Sequence, residues 1–206
     1  MKFKLNDFLV IAKIIINNIL IFRNISREKF VLVTASDEKH FIYLENLLSN
    51  HIRHYKKKYF EKLIIFDIGM NEKQIDKISN INSVELRKFS FEEYQDYYKL
   101  RLPEHGNKIG GFAWKPEMIS LIKNEKKDKI IWLDSACSFN WKIIFFLLLV
   151  LENGFASFNS SGVIKKWTHH NVIKDLSIKT EKNLLNSPNL LAGVVGFNFK
   201  KKEATD

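Results

Sequence analysis

The sequence predicts an α/β protein: a mostly parallel sheet flanked by helices, with an extra apolar helix at its N-terminus. Three observations carry that reading. Apolar runs of strand length alternate with segments whose apolar residues recur at helical spacing. The connections between them are short, as they are where helices cross between parallel strands. Three of the strand-like runs are apolar and stop on small or polar residues, the pattern of strands covered on both faces.

Taken in order, "DFLVIAKIIINNILIF" (7–22) is apolar apart from Asp7, Lys13, Asn17 and Asn18. Its uninterrupted length falls short of the roughly 20 residues a membrane-spanning helix needs, and Lys13 sits in its middle. Asn6, Lys13, Asn17 and Asn24 share one helical face, so the segment reads as a helix that packs on the body or lies in a membrane interface. A short signal anchor is the alternative; a cleaved signal peptide is disfavoured because "RNISREKF" follows instead of a small-residue cleavage site. "KFVLVTASD" (29–37) is the first buried strand, and Phe41, Leu44, Leu47, Leu48 and Ile52 then mark a helix within 38–57. "KLIIFDIG" (62–69) is a second strand, "NEKQIDKISN" (71–80) a short polar helix and "SVELRKFS" (83–90) a third strand. A polar and aromatic loop, 91–111, leads to the helix "AWKPEMISLIKNE" (113–125) and a fourth strand, "KIIWLD" (129–134). "WKIIFFLLLVLENG" (141–154) is a buried helix, too short to span and closed by Glu152, Asn153 and Gly154. "FASFNSSG", "VIKKWTHHNVIKDL" and "NLLAGVVGFNFK" complete the chain with no repeat or low-complexity linker. The expected organisation is an apolar helix over 1–28 and one domain over 29–206.

At 206 residues the chain can bury a core of ordinary domain size. Its single cysteine, Cys137, excludes an internal disulfide framework. The net charge of +10 favours polyanionic partners: phosphorylated small molecules, an anionic membrane surface or nucleic acid. The positive residues fall in short lysine clusters such as Lys56, Lys57 and Lys58, and arginine is scarce, which argues against readout of nucleic-acid bases.

Ligands of parallel α/β sheets gather at the carboxyl ends of the strands, and there "VTASD" and "WLDSACSF" place Thr34, Ala35, Ser36 and Asp134. Asp134 is either the oxygen ligand of a metal-bound phosphate or the cap of a following helix. Thr34 and Ser36 are either at the ligand or capping the helix near Glu38, and Lys115 is either at the phosphates or a solvated first-turn lysine. Cys137 reads as a small buried hydrophobe. His169 and His170 are adjacent and so cannot both face one ion from a regular element. His105 lies in a glycine-bearing loop that lacks the Walker spacing.

"VTASD", "GGFAWKPEMI", "IIWLDSACSF", "SSGVIKKWTH" and "NLLAGVVGFN", in that order and spacing over Lys29 to Asn198, resemble the nucleotide-diphospho-sugar transferases of the GT-A fold. The chain is especially similar to an uncharacterised glycosyltransferase-like family distantly related to the glycogenin type. The resemblance implies a Rossmann-like GT-A domain that moves a sugar from a nucleotide-diphosphate-sugar donor to a glycan, lipid or protein acceptor, in the cytoplasm or at a membrane (a secretory membrane in a eukaryote). It implies that Thr34, Ala35 and Asp67 contact the nucleoside, Lys115 the diphosphate, and Asn189, Ala192 and Gly193 the sugar. Trp167 and His169 would meet the acceptor. Asp134 would match the first carboxylate of an Asp-x-Asp motif holding Mg²⁺ or Mn²⁺. The pattern breaks at the next step: Ala136 stands where the second aspartate belongs, and the chain ends at "FKKKEATD" where such enzymes continue. Either one carboxylate and water hold the metal, or lysines neutralise the charge, or the protein is a fragment or an inactive relative that binds or scaffolds.

Overall fold

The computed structural model describes residues 28–55, 59–94, 101–102, 108–109, 112, 114–140, 142–167 and 184–204. The N-terminal apolar segment, His105 and His169 lie outside the described residues.

Six strands form one sheet in the order β3-β2-β1-β6-β8-β7: β1 (Phe30–Ser36), β2 (Phe60–Asp67), β3 (Val84–Lys88), β6 (Lys129–Leu133), β7 (Phe155–Val163) and β8 (Pro188–Asn198). Between β3 and β6, β4 (Arg101–Leu102) and β5 (Lys108–Ile109) pair in a separate antiparallel ribbon. The strands β3, β2, β1 and β6 run parallel, and β8 pairs antiparallel with both β6 and β7, so that β7 at the edge again points the way of the first four. The expectation of a mostly parallel sheet flanked by helices therefore holds, and the reversed strand β8 is what the sequence did not announce.

Period-two alternation divides the core. Phe30 and Leu32 of β1, with Ile131 and Leu133 of β6, face α1 (Phe41–Tyr55), α2 (Glu72–Ser79) and α4 (Ile143–Asn153). Val31, Val33 and Ala35, with Ile130 and Trp132, face α3 (Trp114–Asn124), whose Trp114, Met118 and Ile122 recur every four residues. Each fully buried Leu, Ile or Phe side chain in these layers contributes about 1.5–3 kcal/mol.

Helix ends follow local chemistry. Asn71 and Gln74 make a reciprocal capping box at the start of α2. α1 starts at Phe41 rather than near Glu38 because Asp37 accepts the His40 amide at 2.8 Å and its ring nitrogen at 2.6 Å, holding 38–40 in a turn. Neither Thr34 nor Ser36 caps it. α4 ends on Gly154, whose φ of 76° is left-handed. Gly196 of β8 lets α4 come close: a Cβ there would lie 2.3 Å from Val150 Cγ2. A short helix, α5 (Ile164–Trp167), follows β7.

Candidate active site

The register places the site. Val33 of β1 pairs with Trp132 of β6, and Leu133 pairs with Val194 of β8, so the next residues bring Asp134 past the tip of β6 alongside Gly193. The Asp134 amide donates to the Gly193 carbonyl at 2.8 Å, locking the tip to β8. No helix starts there, since α4 begins at Ile143, so the capping alternative for Asp134 falls. Alternation turns Asp134 to the same face as Trp132, under α3.

On that face Asp134 Oδ1 accepts two bonds: from Lys115 Nζ at 2.6 Å and from Trp132 Nε1 at 2.8 Å. Lys115 is the second residue of α3, and its side chain is only 12% exposed against 38% for Asp134. It is thus not a solvated first-turn lysine. The rings of Phe112 and Trp132 lie 4.9 and 5.7 Å from its ammonium, attracting the charge through their π faces. Phe112 has φ 72°, a left-handed conformation that is unfavourable for a bulky side chain. Backbone strain of this kind clusters at functional sites, and here it accompanies an aromatic wall beside the ammonium.

The bonds to the Asp134 carboxylate among the described residues all fall on Oδ1. Oδ2 faces Gly193, where an added Cβ would come within 3.2 Å of it and 3.7 Å of Cys137 Sγ. Glycine keeps that approach open. Cys137 points its thiol to the Gly193 carbonyl at 3.5 Å. Burial, then the charge of Asp134, push its pKa up, so it stays a neutral thiol.

The remaining candidates divide by position. Asp67 ends β2 beside Ser36, but its Oδ1 accepts the amides of Gly69 at 2.9 Å and Met70 at 2.7 Å, and the residue is 8% exposed. It closes its own turn. Thr34 is fully buried on the α1 face with its hydroxyl unpartnered, and Ala35 is buried on the α3 face. Asn189 and Gly193 are half-buried and Ala192 exposed along the start of β8. Trp167 ends α5. The structure thus brings Lys115, Asp134 and Gly193 into one cluster and adds Trp132 and Phe112. The sequence hinted at these two only through aromatic residues flanking Lys115 and Asp134.

These groups do not make a protein-held cage for a hard divalent cation. Such ions want several oxygen ligands, and this tip offers one carboxylate with an oxygen already bonded to an ammonium. Ala136 is exposed where a second carboxylate would stand, and no group of three His, Cys, Asp or Glu gathers among the described residues.

Solved structures share this architecture. The galactosyltransferase LgtC, solved with donor and acceptor sugar analogues, superposes with a TM-score of 0.55 at 16% identity, over 85% of this chain and 60% of that one. The bifunctional glycosyltransferase WbbM gives 0.53 at 17%, over 84% and 32%. Core-mannan synthase A from Aspergillus fumigatus, in its Mn/GDP form, gives 0.52 at 9%, over 83% and 59%. The fold is the GT-A fold of glycosyltransferases, and the chain spans about three fifths or less of the lengths of these three proteins. No curated protein matches the chain by sequence. A family model does, over residues 6–108, and on that half of its length the chain belongs to the family described as "Protein of unknown function (DUF1647)".

Proposed function

We propose that the protein transfers a sugar from a nucleotide-diphosphate-sugar donor to a glycan, lipid or protein acceptor, with the donor's diphosphate at the tip of β6. The observation that carries this is the meeting of Asp134 from β6, Lys115 from α3 and Gly193 from β8 at the carboxyl end of a parallel strand in a GT-A sheet. When the bond between the anomeric carbon and the phosphate breaks, its electron pair leaves with the nucleoside diphosphate. Fixed positive charge beside that group favours the transition state. Thr34, Ala35 and Asp67 border the nucleoside in this reading, Asn189, Ala192 and Gly193 the sugar, and Trp167 and His169 the acceptor. A retaining transfer requires no protein base, because the departing phosphate can take the acceptor's proton. The apolar segment over 7–22 is proposed to rest on a membrane surface; among the described residues no helix is long and apolar enough to cross one.

The test is release of nucleoside diphosphate from UDP-glucose, UDP-galactose and GDP-mannose by the purified chain, alone and with sugar acceptors. Turnover of one donor that falls at least about a hundredfold in Asp134→Ala supports the proposal. No turnover of any donor contradicts it.

A second reading, a GT-A protein that binds or scaffolds without turnover, is favoured by Ala136 at the second carboxylate position. It predicts nucleotide binding with no release of diphosphate from any donor.

A further inference from the structure

We infer that the Lys115 ammonium, rather than a divalent cation, supplies the positive charge that holds the donor's diphosphate, so that nucleoside diphosphates bind this chain without metal. The inference rests on the donor-site reading and concerns the same cluster.

Lys115 occupies the place at the strand tip where a cation would have to sit. Its Nζ is 2.6 Å from Asp134 Oδ1, and most of its side chain is shielded from solvent. An ammonium has three N–H donors, and Asp134 takes one, while the rings of Phe112 and Trp132 attract its charge without accepting a strong hydrogen bond. Two donors are left for phosphate oxygens. A divalent ion on the remaining oxygen of the same carboxylate would lie close to this ammonium and be repelled by it.

The ligands that would favour the ion are missing at the same place. Ala136 is exposed and has no oxygen to give, and Cys137 is a soft thiol turned to the Gly193 carbonyl. Asp134 is therefore a positioning residue: it and Trp132 fix where Lys115 points. A lysine in the first turn of α3 also opposes the helix dipole, a cost that the Asp134 bond offsets, and both positive sources then face the ligand together.

Isothermal titration of the full chain with UDP, GDP and CDP, each in EDTA and in Mn²⁺, tests this. At least one nucleotide is expected to bind with a Kd that agrees within about twofold between the two conditions. Lys115→Met keeps the packed stem and removes the charge; it should weaken binding by at least about tenfold with or without Mn²⁺. Asp134→Asn, which still accepts from Trp132, should weaken it less than Lys115→Met does. Ala136→Asp rebuilds a carboxylate pair at an exposed position and should make binding about tenfold tighter in Mn²⁺ than in EDTA. The unliganded melting midpoint of each variant checks that it folds. Wild-type binding that is lost in EDTA, with Asp134→Asn as damaging as Lys115→Met, overturns the inference and leaves the donor site standing. Failure of all three nucleotides to bind in either condition overturns the donor-site reading and the inference with it.

Discussion

Two aspartates end two parallel strands of this sheet, and their surroundings differ. Asp67, at the tip of β2, is buried and gives its Oδ1 to the amides of Gly69 and Met70, two and three residues on. Asp134, at the tip of β6, reaches a lysine 19 residues earlier in the chain and faces a glycine from β8, with its second oxygen toward that glycine. A carboxylate that satisfies its own turn stabilises the fold and shapes the loop beside a ligand. One that is held by distant elements organises a site. The difference arises because β2 is followed at once by a tight turn, whereas β6 lies between β1 and the reversed strand β8.

That contrast can be broken from the stability side first. His51, buried on α1 within the half that contains Asp67, has its pKa lowered from 6.5 to about 4 by burial. Its folded pKa lies below its unfolded value, so the unfolded chain takes up the proton more readily. The contribution is fully present above pH 6.5 and is lost as the pH falls toward 4, a decline of about 3 kcal/mol. Urea unfolding across that window should show the decline in wild type and a flatter profile in His51→Gln; parallel profiles would contradict the assignment. Asp67→Ala removes two charge-assisted bonds, one of them from the buried Met70 amide, and should cost about 2–3 kcal/mol by the same measurement.

Gly196→Ala sets a methyl group against Val150 and should cost about 1–3 kcal/mol, loosening α4 from β8. Asp134→Ala is the smallest in stability, about 1 kcal/mol or less, because the carboxylate is partly exposed. Nucleotide affinity should reverse the order: Asp134→Ala weakens it by freeing Lys115 from its position, while Asp67→Ala leaves it nearly unchanged under conditions where the variant is folded. Equal losses of affinity in the two variants would erase the distinction between the two strand tips.

Much of this architecture was legible in the sequence. The apolar runs of "KFVLVTASD", "KLIIFDIG" and "KIIWLD" exist because both faces of β1, β2 and β6 are covered, and each run stops on polar residues at the carboxyl edge of the sheet. The β7 and β8 pair was harder to see: β7 is an edge strand whose "FNSSG" is largely exposed, and 24 residues separate its end from the start of β8. Asp134 announced itself by ending an apolar run. Its partners did not, because Lys115 meets it only when α3 lies over β6, and Trp132 only because alternation returns it to the same face. Ala136 matters because Lys115 stands beside the carboxylate that remains, a contact no local pattern encodes.

Hydrogen exchange with and without a saturating nucleoside diphosphate tests most directly that the tip of β6 is the binding site. The account predicts slowed exchange in three separate stretches that meet only in the fold, around Lys115, Asp134 and Gly193, with the turn after Asp67 changing less. Slowing confined to the opposite end of the sheet, where Lys127 pairs with Glu61 and Lys129 with Glu28, or no slowing anywhere, would contradict it.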